Sequence, residues 1–425
     1  MSGEKFIDGI DQCLLQQLLK ENIKTPTEIQ QLVIPSLLQK QNVIFSSQTG
    51  TGKTYAYLLP ILQNILYTAS RNDATNIPLQ QEKCLIIAPT LELCVQIKTK
   101  VDFLLEAFLP ESKLHCALLI GSGNIKHQIE TLKLNPCVII GNTKRILQLS
   151  DMRKLNLREI NFVVLDEADR LISAELVDDT KRILFSLGVR RSDSINTANT
   201  ANATAPVYTA CSATLSEKNI AAIKEVSGAA EFTVLRSGKN EILQQNITHI
   251  AIWCEERRKV ETLRSLLAAL KSRRTLVFTD KSDDVENMTA KLRYKTHVYG
   301  GRTIIGKNVD GIYSGMDKTE RRNVMKMFLD GSVSVLVSSD LAARGLDIPG
   351  IHYVIETTVP QDTDTYIHRA GRTARAGKKG TMISVGSEID MRRLQSIEKK
   401  LHITVFPRVL FGGQLLPPDD PVFEP

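Results

Sequence analysis

Short apolar runs alternate with longer stretches of helical period along this chain, and the alternation occurs twice. In the first half it predicts strands at residues 42–46, 84–88, 137–140, 162–165 and 207–211, and helices that include residues 55–66 and 91–108. In the second half it predicts strands at residues 249–253, 275–279, 334–338, 353–356 and 381–385, and helices at 257–271, 282–293, 318–329 and 389–399. Because strands that alternate with helices are typical of parallel sheets covered by helices, we expect an α/β fold with two doubly wound domains in tandem.

The boundary between the two halves is predicted in a polar stretch without a clean period, LRSGKNEILQQ. We therefore expect a first domain at residues 1–235, a linker at 236–245 and a second domain at 246–410. The Pro-rich, acidic tail at residues 411–425 is expected to be extended or disordered. Residues 190–205 are rich in Asn, Thr and Ala, which predicts a surface loop.

Composition narrows the class of protein. With 42% hydrophobic and 24% charged residues, the 425-residue chain is globular and is not a collagen-like, coiled-coil or disordered protein. The net charge of +7 is uneven, +2 over residues 1–240 (26 basic, 24 acidic) and +5 over residues 241–425 (28 basic, 23 acidic), so the second half favours a polyanionic partner.

Cysteine usage and apolar run length bear on the compartment. The seven cysteines include no Cys-x-x-Cys pair, which predicts reduced thiols in an intracellular protein. We expect neither a secretory nor a mitochondrial import signal at the start, because the first residues lack an apolar core and an Arg-rich amphipathic segment. No apolar run reaches the roughly 18 to 20 residues of a membrane span, so we expect a soluble protein with no membrane partner.

The sharpest local signal is SQTGTGKT, between a predicted strand and an apolar helix. Glycines let backbone N–H groups approach phosphate oxygens at a helix N-terminus, whose dipole favours anions. Lys53 would reach the β- and γ-phosphates, and the Thr54 hydroxyl would ligate Mg²⁺. Ser47 stands where the strict pattern has its leading glycine, and a Gly-rich turn without a ligand is the alternative. The candidate phosphate-site residues are Gln48, Thr49, Gly50, Thr51, Gly52, Lys53 and Thr54.

A second signal is the acidic end of the strand predicted at residues 162–165, which continues as Asp166, Glu167, Ala168 and Asp169. At the carboxyl edge of a doubly wound sheet, Asp166 would lie beside the phosphate loop. We expect Asp166 to hold Mg²⁺ directly or through water, and Glu167 to orient or deprotonate the attacking water. A solvated helix cap is the alternative for such a strand end taken alone.

A third signal is YIHRAGRTAR at residues 366–375. Arg372 and Arg375 are three residues apart, so they share a helix face or the turn after it. An arginine presented across a cleft to a γ-phosphate offsets charge in the transition state. A basic, solvated helix is the alternative.

Together with other motifs in order, these signals resemble a DEAD-box RNA helicase from about Phe6 to Ile403. The motifs are PTEIQ at 26–30, the phosphate loop, PTLEL at 89–93, DEAD at 166–169, SAT at 212–214, VFT at 277–279, the segment 340–347 and the cluster 368–375. The resemblance implies two RecA-like domains and hydrolysis of ATP with Mg²⁺. It also implies that Gln30 reads the adenine edge while Phe6 stacks on the ring, and that Gly345 and Asp347 face the nucleotide, with Asp347 at the ribose. The residues implied to couple or support the site are Ser212, Thr214, His368 and Arg369.

The same resemblance implies an RNA strand that is bound through its phosphates and 2′-hydroxyls and hardly through its bases. The implied RNA-binding residues are Thr90, Gly121, Arg145, Thr279, Arg321 and Ser339. The chain departs from the family pattern at Leu91, Ser122, residues 142–144, Lys318 and residues 22–23. We expect these departures to alter RNA binding or unwinding, and the lysines at 144 and 318 to steepen its salt dependence.

The leading hypothesis is an RNA-stimulated ATPase that closes two domains on ATP and single-stranded RNA, and so unwinds short duplexes or remodels RNA–protein complexes. The alternative is an ATP-gated RNA clamp or assembly scaffold with little unwinding. A P-loop enzyme acting on something other than nucleic acid is the third hypothesis. We expect a monomer that meets components of RNA–protein particles. By family analogy alone, we expect a part in ribosome biogenesis in the nucleus or nucleolus, with the cytoplasm as the alternative.

Overall fold

The computed structural model divides into two compact units, Met1–Ser237 and Gly238–Pro425, which are described separately below. The division falls within residues 236–245. The residues that the structure describes are 7–47, 51–75, 81–108, 114–188, 205–213, 215–229, 231–237, 246–270, 274–294, 298–299, 302–303, 308–313, 315–340, 348, 350–374 and 379–418. Within these ranges no helix is both long enough and apolar enough to cross a membrane.

The first unit alternates strands with helices. Its described strands are β1 (Val43–Ser46), β2 (Cys84–Ile87), β3 (Cys116–Leu119), β4 (Val138–Gly141), β5 (Phe162–Asp166), β6 (Val207–Ser212) and β7 (Thr233–Arg236). Its described α-helices are α1 (Gln12–Lys20), α2 (Glu28–Leu38), α3 (Lys53–Thr75), α4 (Leu91–Leu105), α5 (Ile125–Lys133), α6 (Thr143–Asp151), α7 (Ala168–Leu171), α8 (Val177–Gly188) and α9 (Glu217–Ser227).

These strands form one parallel sheet in the order β3-β4-β2-β5-β6-β1-β7. Successive side chains of a strand point to opposite faces, and here both faces are apolar. In β1, Val43 and Phe45 join one hydrophobic core and Ile44 joins the other. The sheet is therefore covered on both faces, which explains why its strands appear in the sequence as continuous apolar runs.

The second unit repeats this architecture. Its described strands are β8 (Ile247–Trp253), β9 (Thr275–Thr279), β10 (Val298–Tyr299), β11 (Arg302–Thr303), β12 (Val309–Ile312), β13 (Val335–Ser339), β14 (Tyr353–Glu356), β15 (Gly380–Gly386), β16 (Val405–Pro407), β17 (Val409–Phe411) and β18 (Gln414–Leu416). Its described α-helices are α10 (Lys259–Ala269), α11 (Ser282–Tyr294), α12 (Lys318–Asp330), α13 (Thr363–Ala370) and α14 (Glu388–Leu401).

The main sheet of the second unit is also parallel, in the order β12-β13-β9-β14-β15-β8-β16. In β9, Leu276 and Phe278 face one core while Val277 faces the other. The α/β fold with two doubly wound domains is thereby confirmed.

The structure adds elements that the sequence pattern does not predict. β3 and β7 are only partly buried, with alternating or exposed positions, and β12 carries Asp310 and Gly311. Such strands lack the continuous apolar run by which a fully buried strand is recognised. The tail also differs from its expected start at residue 411, because β17 and β18 pair as an antiparallel hairpin that ends at Leu416.

Candidate functional site

The carboxyl ends of three neighbouring strands bring the phosphate loop and the acidic motif together. β6 lies between β5 and β1, with Asp166 opposite Cys211 and Ser46 opposite Ser212. The backbone N–H of Ser47 donates to the Ser212 carbonyl at 3.3 Å. Since all strands of the sheet run in the same direction, their polar ends collect at one edge, which is where ligands bind in doubly wound sheets.

The described end of the phosphate loop is held by its own side chains. The Lys53 ammonium donates to the Ser47 carbonyl, and the Ser47 hydroxyl is hydrogen-bonded to Thr51 and accepts from Ser237 at 2.9 Å. Burial lowers the pKa of Lys53, and the nearby Asp166 and other carboxylates oppose that shift. α3 begins at Lys53, so Lys53 and Thr54 occupy the helix N-terminus that attracts anions.

Gln30 contacts this loop directly. Its side-chain N–H donates to the Gly52 carbonyl at 3.2 Å, and its carbonyl oxygen accepts from the Thr27 backbone N–H at 2.9 Å. Gly52 has a φ of +89°, and a Cβ there would lie 2.4 Å from the Gln30 amide nitrogen. Only glycine fits this position without displacing Gln30. With respect to the described residues, the Gln30 amide keeps one N–H and one lone pair, which is what the predicted contact with an adenine edge would require.

Asp166 lies buried at the end of β5, with 5% of its surface exposed. Its Oδ2 accepts from the Tyr57 hydroxyl at 2.9 Å. Its Oδ1 accepts from the Cys211 thiol at 3.1 Å and from the Glu167 backbone N–H at 2.9 Å. Burial, together with the Asp166 carboxylate, raises the pKa of both the Tyr57 hydroxyl and the Cys211 thiol, so both are neutral donors at pH 7.

The rest of the acidic motif is held in an uncommon backbone conformation. Glu167 has φ of 50° and ψ of 53°, in the left-handed region that non-glycine residues seldom adopt. This turn directs the chain into α7, where Asp169 accepts from the Ser212 hydroxyl at 2.7 Å. Ser212 thus links the strand β6 to the acidic motif.

In the second unit, Arg369 lies within a buried charge network. Its guanidinium donates to both Asp340 oxygens at 2.7 Å, to Glu356 at 2.8 Å and to the Thr358 carbonyl at 2.6 Å. Glu356 is fully buried and also accepts from Ser384 at 2.7 Å. These contacts give Arg369 a structural role within its own unit.

The other described residues of this cluster lie at and just after the end of α13. Arg372 is 6% exposed, and its side chain donates to the His368 carbonyl one turn earlier at 3.2 Å. His368 is partly buried near the end of α13. Several predicted nucleotide-site and coupling residues lie outside the described residues, namely Phe6, Gln48, Thr49, Gly50, Thr214, Gly345, Asp347 and Arg375.

The RNA-binding candidates of the first unit follow the carboxyl ends of β2, β3 and β4. Thr90 caps α4 by accepting from the Leu93 backbone N–H at 3.3 Å. Arg145, predicted to bind RNA, is only 8% exposed, and its guanidinium donates to the carbonyls of Gly121 and Gly123 and to the Gln128 side chain. The geometry gives Arg145 an internal role, in which it shapes the loop that carries Gly121.

Two of the three RNA-binding candidates of the second unit meet at the carboxyl ends of β9 and β13, where Thr279 is the register partner of Ser339. The Thr279 hydroxyl donates to the Lys281 carbonyl at 3.4 Å. The buried Ser339 hydroxyl has no hydrogen-bond partner among the described residues. Arg321 is partly buried in the first turn of α12.

Comparison with known proteins places both units in one family. Residues 27–223 match the family model described as DEAD/DEAH box helicase, and residues 258–377 match the helicase conserved C-terminal domain. DEAD-box ATP-dependent RNA helicase CshC from Bacillus cereus is 31% identical over 97% of this chain and 95% of the relative. Probable ATP-dependent RNA helicase YfmL from Bacillus subtilis is 32% identical over 94% of this chain and 96% of the relative. The chain belongs to the DEAD-box helicase family.

A solved structure agrees with the fold of this helicase. Dbp5 from S. cerevisiae, whose structure was determined bound to RNA and ADP BeF3, matches with a TM-score of 0.76 and 24% identity over 94% of each chain. That likeness confirms the tandem RecA-like architecture of the helicase.

The sequence patterns of the helicase do not point to Tyr57 and Cys211, although both contact Asp166. Tyr57 lies four residues after Lys53, and so on the same helix face, one turn into α3. The four-residue spacing from Lys53 could have indicated Tyr57, but an aromatic residue on the core face of a helix has the same kind of spacing without any role at the site.

Proposed function

We propose that this helicase is an RNA-stimulated ATPase whose two units close on ATP and single-stranded RNA. Closure favours a bent strand that a duplex cannot adopt, so short duplexes separate or RNA–protein contacts are remodelled. Support comes from two relatives, the DEAD-box ATP-dependent RNA helicase CshC and the probable ATP-dependent RNA helicase YfmL, and from the Dbp5 complex with RNA.

The observation that carries this proposal is the convergence of Lys53, Asp166 and Ser212 at one edge of the first sheet. Lys53 opens α3 and brings a cation to the site of the phosphates. Ser212 holds Asp169 at 2.7 Å, so a movement of the strand β6 is transmitted to the acidic motif. This contact is the physical basis that we propose for coupling between hydrolysis and closure.

The donor atoms of the site suit Mg²⁺. The Asp166 carboxylate and the Thr54 hydroxyl are hard oxygen donors, and they are the residues that would hold the ion. Among the described residues, no group of three His, Cys, Asp or Glu side chains is placed to hold a metal ion. Mg²⁺ is usually bound by one or two carboxylates of a protein and otherwise by water and phosphate oxygens. When bound, Mg²⁺ would offset the negative charge of the phosphates.

Glu167 is the residue that we propose to orient or deprotonate the attacking water. Its left-handed conformation places it as the cap between β5 and α7. The testing experiment measures ATPase rate with and without single-stranded RNA for the wild type and Glu167→Gln, over a range of salt concentrations. We expect RNA to stimulate the wild type and the variant to lose about 10²-fold or more in rate while still binding ATP. A wild-type rate indifferent to RNA would contradict the proposal.

The alternative is an ATP-gated RNA clamp with little unwinding. The internal bonds of Arg145 favour it, because a guanidinium committed to three protein acceptors leaves fewer contacts for RNA. Measuring whether a short RNA duplex separates while ATP is hydrolysed decides between the unwinding helicase and the clamp. Retention of the intact duplex together with slow RNA release would favour the clamp. Ribosome biogenesis in the nucleus or nucleolus, with the cytoplasm as the alternative, stays a prediction.

A further inference from the structure

The Asp166 carboxylate has nearly all of its hydrogen-bonding capacity in use within the first unit. A carboxylate offers about four acceptor positions, two on each oxygen. Three of these are taken, by the Cys211 thiol and the Glu167 backbone N–H on Oδ1 and by the Tyr57 hydroxyl on Oδ2. Among the described residues, one acceptor position is left, and it is on Oδ2.

The donors reach Asp166 from three independent parts of the unit. Tyr57 comes from α3, Cys211 from the neighbouring strand β6, and the Glu167 N–H from the chain itself. Tyr57 and Cys211 are completely buried, so neither side chain has space to move away from the carboxylate. Donors on opposite oxygens prevent the carboxylate from rotating about its Cβ–Cγ bond.

We propose that Tyr57 and Cys211 are positioning residues that orient Asp166 so that a single Oδ2 lone pair is available to the magnesium of the bound nucleotide. The inference rests on the proposed function, in which Asp166 serves a magnesium–nucleotide complex. An outer partner of this kind fixes the direction of a metal-binding carboxylate, and its loss commonly weakens metal binding by about 10- to 100-fold.

The opposing interpretation is that Asp166 merely satisfies a buried tyrosine. A buried phenol needs a hydrogen-bond acceptor, and Asp166 would serve as one whatever its role at the nucleotide. Under that interpretation, loss of the hydroxyl changes stability and leaves the response to Mg²⁺ unchanged. The two interpretations therefore differ in a measurable quantity that is separate from turnover.

The test uses the full chain and Tyr57→Phe, which removes only the hydroxyl. Tyr55→Phe is the matched control, because Tyr55 lies two residues earlier on α3 and its hydroxyl bonds to Glu21 at 2.6 Å, away from Asp166. Binding of a fluorescent ADP analogue is titrated in EDTA and then over a range of Mg²⁺ concentrations. The Mg²⁺ midpoint of ATP hydrolysis is measured on the same samples.

We expect Tyr57→Phe to bind the Mg²⁺-free analogue as the wild type does, within about twofold, and to need about tenfold more Mg²⁺ in both titrations. Tyr55→Phe should keep the wild-type Mg²⁺ midpoint. Cys211→Ala should shift the midpoint in the same direction, and Cys211→Ser, which retains a donor, should shift it less.

An unchanged or lower Mg²⁺ midpoint in Tyr57→Phe overturns the inference, as does an equal loss of binding with and without Mg²⁺. These failures are distinguishable from failure of the proposed function, which would appear as a wild type that neither binds the analogue nor responds to Mg²⁺.

Discussion

Replacing Arg369 with methionine tests the buried charge network of the second unit. The substitution removes the cation that holds Glu356 and Asp340 and retains a flexible apolar side chain in place of the aliphatic part of the arginine. Asp340 is 25% exposed at its side chain, so water can replace the guanidinium there. Glu356 is 0% exposed, and among the residues that the structure describes Ser384 is its remaining side-chain donor. The loss of stability should therefore come mainly from Glu356.

The magnitude follows from leaving a buried charge unpaired. Removing one member of a buried ion pair costs about 3–5 kcal/mol in unfolding free energy. For a unit of this size, Gly238–Pro425, each kcal/mol corresponds to about 2–4 °C in melting temperature. We expect the second unit of Arg369→Met to melt about 6–20 °C lower than that of the wild type, with the first unit unaffected.

The loss should depend on pH in a defined direction. Burial raises the pKa of Glu356 above 4.5, and the Arg369 cation opposes that shift. Without Arg369 the folded-state pKa rises further, so the folded protein binds more protons than the unfolded chain at pH values between the two pKa values. Stability of the variant then falls as pH rises through this window. The destabilisation should be largest near pH 7 and should shrink towards pH 5.

Hydrogen exchange of backbone amides during urea unfolding of the full chain provides the assay. The amides of β9, β14 and β15 report on the second unit, because these strands pair within its main sheet. Arg369→Met/Glu356→Gln serves as the matched variant, because it removes the unpaired charge, and it should recover at least half of the lost free energy. A single variant that loses less than about 1 kcal/mol at pH 7, or a double variant no more stable than the single one, would refute the reasoning.

The remaining predictions concern the first unit. Gly52→Ala should weaken nucleotide binding by about tenfold or more, because its Cβ would displace the Gln30 amide and strain a φ of +89°. Gly121→Ala is the control in the same equilibrium titration of nucleotide, because a Cβ at Gly121 meets nothing within 4 Å. Equal nucleotide affinities for both variants would contradict the argument. Arg145→Lys should lower the unfolding free energy of this unit by about 1–3 kcal/mol, since lysine cannot reproduce the planar guanidinium that donates to Gln128 and two carbonyls. The same variant should show weaker stimulation of its ATPase by RNA, while the unstimulated ATPase persists. A wild-type melting temperature and a wild-type RNA concentration for half-maximal stimulation would count against this prediction.

The central strands and the flanking helices could be predicted because their apolar runs are buried on both faces. β2 has the sequence CLII and is buried at every position, so this strand can be predicted from its own residues without knowledge of its neighbours. β7 reads TVLR and is exposed at both ends, and it becomes a strand only because β1 is there to pair with it. An edge strand of this kind owes its structure to a partner distant in sequence.

The chemical groups of the site were likewise contained in the sequence, because the phosphate loop and the acidic motif place them at strand ends. Lys53 and Asp166 belong to local patterns whose meaning comes from backbone geometry within a few residues, whereas the role of Gln30 was implied by the family resemblance. Tertiary structure alone decided what each side chain touches. It directed the Arg145 guanidinium inward to Gln128 of α5 and set Tyr57 against Asp166 across 109 positions of sequence.

The physical reason for this division is the range of the interactions. Some features depend on only a few consecutive residues and can therefore be recognised in the sequence. They include the strand and helix periods, a glycine at a positive φ and the N-terminus of a helix. The orientation of a carboxylate depends on donors from separate elements, which are assembled only when the two apolar faces of the sheet are buried. The sequence by itself therefore determined which groups this helicase presents at the sheet edge, and packing decided how firmly and in which direction they are held.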